Sequence, residues 1–160
     1  MTAIAAFRDA ILDTNIVLDW LVFNHPDARA LGAALEAGEL QWIATLAMRD
    51  EFFHVLGRGA LDDWQPDLLG LNDLWNDRCR LQLAPASSGP ASLAAVSLRC
   101  TDPDDQKFID LAAAHPGSLL LSRDRAVLKL APRLAKMNVS AMPLARWTTE
   151  RTRLALAQPC

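Results

Sequence analysis

Twice in this chain a short apolar run stops on a polar residue and gives way at once to helical spacing. The junction occurs at "ILDTNIVLDWL" (Ile11–Leu21) and again at "LLLSRDRAVLKL" (Leu119–Leu130). In the first, Ala10-Ile11-Leu12 precede Asp13, and apolar residues recur at Ile16, Val17, Trp20 and Leu21, one face of a helix. In the second, Leu119–Leu121 lead into Ser122 and Asp124 before a similar spacing begins. Strands that feed directly into helices build parallel sheets, because the chain must cross over before it can pair alongside itself in the same direction.

The segments between the junctions continue the alternation. Pro26 opens a helix over Asp27–Ala37 that closes at Gly38, and Leu40–Ala44 reads as a second strand. A helix over Leu46–Leu56 stops at Gly57. Leu61–Arg80 reads as two short helices broken at Pro66 and Gly70, followed by a strand at Leu81–Leu83. The stretch "APASSGPAS" (Ala84–Ser92) is a surface connection. Thr101-Asp102-Pro103 starts a helix reaching His115, Asp124–Leu134 is helical, and Met137–Met142 contains the last strand. The expected fold is α/β: three α/β/α layers around a mostly parallel central sheet of four to five strands, with right-handed crossovers. With 160 residues, 51% of them hydrophobic, one domain is expected over residues 1–146, with an apolar and basic tail at 147–160 that packs on the domain or on a dimer partner.

No run of about 18 apolar residues and no signal-peptide pattern occurs, so a cytoplasmic protein without a membrane partner is expected. Cys79, Cys100 and Cys160 form no CxxC pair and read as free, non-catalytic thiols. Charge is uneven: residues 1–122 carry −9 and residues 123–160 carry +6. A basic run is usually a solvated helix face, but Arg123, Arg125, Lys129 and Arg133 also suit a polyanion; Arg78, Arg80 and Arg99 are the next candidates.

The acids carry the chemistry. Asp13 at a strand end is either a helix N-cap, a service of roughly 1 kcal/mol, or a ligand group at the carboxyl edge of a parallel sheet; taken alone the stretch favours the cap. In Leu46–Leu56 the apolar face is Met48, Phe52, Val55 and Leu56, which puts Glu51 on its flank and Asp50 outside. A side chain snorkelling at the rim accounts for Glu51 as well as a metal does. In "TDPDDQKFIDLA", Asp102 before Pro103 is sufficiently explained as an N-cap. The face made by Phe108, Ile109, Leu111 and Ala112 turns Asp105 inward and leaves Asp104 at its edge. Converging carboxylates repel unless a hard cation such as Mg²⁺ or Mn²⁺ neutralises them. His25, His54 and His115 show no ligand spacing, and no Ser/His/Asp set, P-loop or GxGxxG is present.

Taken in order, "LDTN" with Asp13, helical Glu51, "DPDDQKFIDLA" with Asp105 and "LLSRDRAVL" with Asp124 resemble the PIN-domain nucleases, in particular their VapC-like branch of toxins from toxin–antitoxin systems. The resemblance spans roughly residues 9–144. It implies a PIN-like fold, Mg²⁺ or Mn²⁺, endonucleolytic cleavage of single-stranded RNA, and a homodimer held by an antitoxin protein. It also implies an acidic site of Asp13, Glu51, Asp105 and Asp124, supported by Asn15 and Ser122. On this reading Asp13 and Asp105 ligate the metal, while Glu51 and Asp124 hold water or a second ion. Ala126 departs from the family pattern, where many members have a second aspartate, and implies weaker metal binding or one ion. Arg123 stands where a glycine is common and sets a cation beside the site.

Two rival functions stay open on the sequence alone. A strand-end Asp13 suits an aspartate-based phosphotransfer domain, although Asn15 stands where such phosphatases usually repeat an acid. Ala126 leaves room for a weak or inactive PIN-like module that binds RNA or protein without cutting.

Overall fold

A computed structural model describes residues 8–85 and 98–157. Its centre is a five-stranded sheet in the order β3-β2-β1-β4-β5, with every neighbouring pair parallel. The strands are β1 (Arg8–Leu12), β2 (Leu40–Thr45), β3 (Arg80–Gln82), β4 (Leu119–Leu121) and β5 (Ser140–Met142). Helices flank this sheet, so the fold is the layered α/β arrangement that the junctions predict. Ala10, Ile11, Leu119, Leu120 and Leu121 are completely buried, which is why the inner strands read as unbroken apolar runs rather than alternating ones.

Register positions the site. Ala10, Ile11 and Leu12 pair with Leu119, Leu120 and Leu121, so β1 and β4 end level with one another. The Asp13 amide then donates to the Leu121 carbonyl at 3.0 Å, and Asp13 and Ser122 leave the sheet side by side. Strand order also reverses between β1 and β4. Open α/β sheets form their ligand crevice at such a reversal, outside the carboxyl ends of the strands.

Helix α1 (Thr14–Leu21) starts immediately after Asp13, α2 (Pro26–Glu36) has Pro26 in its first turn, and α3 (Leu46–Gly57) buries Met48, Phe52 and Leu56. His25 caps α2, accepting the Asp27 amide at 3.2 Å. Trp42 on β2 packs edge-on against Trp20 and Trp75, with ring centroids 5.5 and 4.4 Å away, and Phe52 joins the same aromatic core.

Several sequence expectations need correction. Gly70 does not divide a helix: a single 3-10 turn at Asp62–Trp64 precedes α4 (Leu68–Arg78), and Gly70 lies inside that helix. Its amide is capped by the Asp67 carboxylate at 3.1 Å, and a Cβ at position 70 would collide with that carboxylate. Strand β3 begins one residue earlier than expected, because pairing with β2 sets Arg80 against Ile43; Leu83 is left 94% exposed. The expected helix from Asp102 is a 3-10 turn, Pro103–Asp105, followed by α5 (Gln106–Ala113). The continuous helix expected over Asp124–Leu134 is two pieces, α6 (Arg125–Leu128) and α7 (Ala131–Ala135). Pro132 accounts for the break, since it offers no N–H to the Leu128 carbonyl. The connection expected at Ala84–Ser92 lies mostly outside the described residues, as does Cys160.

Helix α8 (Leu144–Ala157) runs through residue 146 and packs on α2. Trp147 is buried, and Arg151 forks onto Glu39 at 2.8 and 3.0 Å. Beyond that anchor Leu154 and Leu156 are exposed. Among the described residues no helix is long and apolar enough to cross a membrane.

Candidate active site

Asp13 occupies the N-cap position of α1, yet its side chain makes no cap hydrogen bond. It turns to β4 instead, where the Ser122 hydroxyl donates to Oδ2 at 2.6 Å. The Ser122 oxygen in turn accepts the Asp124 amide at 3.0 Å. One hydroxyl therefore ties the end of β1 to the loop after β4. Asp13 is buried, and that burial raises its carboxyl above the usual range; the Ser122 hydroxyl and then the Asn15 backbone amide oppose the shift, and the charges of Asp124 and Glu51 add to it.

The turn before α5 brings a second group into the same crevice. Asp102, Asp105 and Asp124 each offer a carboxylate oxygen, and these atoms lie within 4.8 Å of one another. Asp105 is 9% exposed and its Oδ2 is buried with no hydrogen-bond partner among the described residues. Its carboxyl is pushed up to about 7, first by burial, then by its hydrogen bond with Asp124 and the charges of Asp13, Asp124 and Asp102. A buried carboxylate oxygen aimed at other carboxylates is unfavourable in the bare protein and becomes favourable with a hard cation. The donor set is compatible with a divalent metal of the Mg²⁺ or Mn²⁺ type. Asp104, one residue away, is exposed, and Asp50 is exposed beside half-buried Glu51, as helical phase requires.

Glu51 is not one of that trio, and both of its oxygens are engaged by the chain itself. Its Oε1 accepts from the Lys107 ammonium at 2.8 Å, and its Oε2 accepts from the Thr14 hydroxyl. Asn15, expected to support the site, is exposed in the first turn of α1. Three groups of this crevice escaped sequence reasoning. Asp102 does cap the turn, accepting the Asp104 amide at 3.0 Å, but also reaches the acidic cluster. Thr14 and Lys107 meet Glu51 from 37 and 56 residues away, and only Lys107 carried a signal, as a cation two places after an inward acid.

The basic candidates divide. Arg123 pairs with buried Asp19 at 3.2 Å, so its charge is already engaged. Arg125 is exposed in α6, whose N-cap is Asp124 itself, with Oδ1 accepting the Ala126 amide at 2.8 Å. Lys129 and Arg133 are exposed further on. Arg78 and Arg80 line a cavity of about 420 Å³ with Leu40 and Gln41, at the amino ends of β2 and β3, the edge opposite the acids. Burial raises Cys79 to about 12 and also raises Cys100, which leaves both thiols protonated. The His115 Nδ1 bonds the Leu111 carbonyl at 2.9 Å, a helix-end contact.

Comparison with curated proteins finds no match. A family model described as PIN domain matches residues 9–126, well over half of the chain. PIN domains are in general nucleases, and an acidic crevice able to hold a divalent metal is the chemistry such an activity needs. The match runs from the central strand through the last of the clustered acids and so covers every element that builds the crevice: the chain belongs to the PIN domain family.

Proposed function

We propose that this protein is a metal-dependent endoribonuclease that cuts single-stranded RNA, and that it serves as the toxin of a toxin–antitoxin pair. The observation that carries the reading is the convergence of Asp102, Asp105 and Asp124 with one buried, unpartnered oxygen at the sheet's switch point, beside Asp13. Asp105, Asp124 and Asp13 would hold the ion. When bound, a Mg²⁺ or Mn²⁺ ion neutralises these carboxylates, lowers the pKa of water and stabilises charge on a phosphodiester undergoing attack. Ser122 keeps Asp13 in one orientation through its 2.6 Å bond, so the carboxylate is preorganised. The Asp124 carboxylate is likewise fixed, one oxygen bonded to the Ala126 amide. Exposed Arg125 and Lys129 would receive phosphates of the strand on either side of the cut.

The test is incubation of purified protein with an RNA pool, with and without Mn²⁺, followed by mapping of the new ends. Metal-dependent internal ends support the nuclease, and an uncut pool sinks it. Growth arrest on induced expression, relieved by Asp105→Asn, tests the toxin role. A homodimer and a cognate antitoxin belong to the same proposal. Exposed Leu154 and Leu156 at the end of α8 favour an intermolecular contact, which light scattering across a dilution series examines. A binding module without turnover is the second reading, favoured by the neutralisation of Glu51 by Lys107. RNA binding that persists with no cleavage in Mn²⁺ would select it.

A further inference from the structure

We propose that Lys107 is a positioning residue that serves as the fixed cation of the Glu51 side of the site, so that the crevice takes one divalent ion rather than two. The inference rests on the metal-dependent reading above. Both oxygens of Glu51 are engaged by the protein, one by the Lys107 ammonium at 2.8 Å and the other by the Thr14 hydroxyl. The ammonium is itself held from other directions: it donates to the Asp104 carbonyl and lies 5.0 Å from the centroid of the Phe108 ring. Neither partner of the pair is a free surface group, with side chains 23% and 29% exposed.

Charge then separates the crevice into two halves. Glu51 and Lys107 cancel, so their half offers a further cation no net attraction. Asp102, Asp105 and Asp124 lie together with no salt-bridge partner among the described residues, and Asp13 beside them is bonded by a neutral hydroxyl. A divalent ion at Glu51 would have to displace an ammonium held by Glu51, the Asp104 carbonyl and the Phe108 ring, or sit beside it against like-charge repulsion. The same turn of chain does both jobs: Asp105 ends the 3-10 turn pointing inward, and Lys107, two residues on in α5, reaches across to α3.

Counting Mn²⁺ bound to the full chain by isothermal titration and by electron paramagnetic resonance tests the proposal without reference to activity. The wild type is expected to bind one Mn²⁺. Lys107→Met keeps the aliphatic stem, frees Glu51, and is expected to add a second, weaker binding event. Lys107→Arg should restore a single ion, and Lys107→Met combined with Glu51→Gln should lose the second event. Two ions in the wild type, or one ion in a folded Lys107→Met variant, would overturn the role of Lys107 and leave the metal-dependent reading standing. No ion in the wild type would overturn both.

Discussion

At Asp105 two demands compete, burial of the side chain at the end of the turn that leads into α5 and retention of a charge that only a cation makes tolerable there. The raised carboxyl has a definite pH signature. A group whose folded pKa of about 7 exceeds its ordinary 3.8 holds its proton more tightly in the native state, so its stabilising contribution is complete below 3.8 and is lost as pH rises through about 7. The metal-free protein should therefore lose melting temperature progressively from about pH 4 to about pH 7, on the order of 10 °C from this residue. Asp105→Asn should flatten that slope in a thermal melt and abolish cleavage, while exposed Asp104→Asn should lower activity severalfold at most. Equal losses at the two positions would refute the distinction drawn from burial. Asp13→Asn should likewise end cleavage while raising the melting temperature of the metal-free protein, because it removes a buried charge flanked by like charges.

Elements decide which basic residues are available to a substrate. Pro132 splits the segment after Asp124, so Arg125, Lys129 and Arg133 do not form the regular stripe that a single helix would present. Arg125 is instead tied to the site through the short helix that Asp124 caps. In an Asp13→Asn background, replacing Arg125 and Lys129 by alanine should weaken binding to unrelated RNA sequences about equally. Each cation that neutralises a phosphate contributes about 0.7 to the log–log salt slope, so losing both should flatten it by about 1.4. An unchanged slope would move the RNA path away from α6. Arg123 has a different task, because it neutralises buried Asp19 in α1. Arg123→Ala should cost about 1–2 kcal/mol in urea unfolding, between the values for exposed and fully buried pairs, with the RNA salt slope unaltered.

For the whole molecule, metal binding and folding are linked. The acidic cluster forms only when β1, β4 and the turn before α5 are assembled, so an ion that binds there stabilises the native state alone. Free Mn²⁺ at about 100 times its Kd should add about 2.7 kcal/mol, a rise of roughly 5–10 °C in melting temperature for a chain of this size, reversed by chelation. Asp105→Asn should abolish the rise. A wild-type melting temperature indifferent to Mn²⁺ would mean that the cluster holds no ion.

The sequence by itself determined the layered α/β architecture, because buried parallel strands must be apolar on both faces and each must be followed by a helix with its own periodicity. It also marked Asp13 and Asp124 as acids after strand ends, Glu51 as an acid on the flank of an apolar face and Asp105 as one turned into such a face, since helical phase and strand termination are local properties. Boundaries were less legible: Gly70 suggested a break that the Asp67 cap removes, and the apolar spacing of Val127, Leu130 and Leu134 hid the break at Pro132. Only tertiary structure decided which groups meet. Strand register set Asp13 beside Ser122, 109 residues away, and helix packing gave Glu51 to Lys107 and Thr14 rather than to the acidic trio. It also brought Asp102, locally complete as a cap, into the cluster. Such meetings depend on how elements stack, and a one-dimensional pattern of spacing carries phase within an element but no distance between elements.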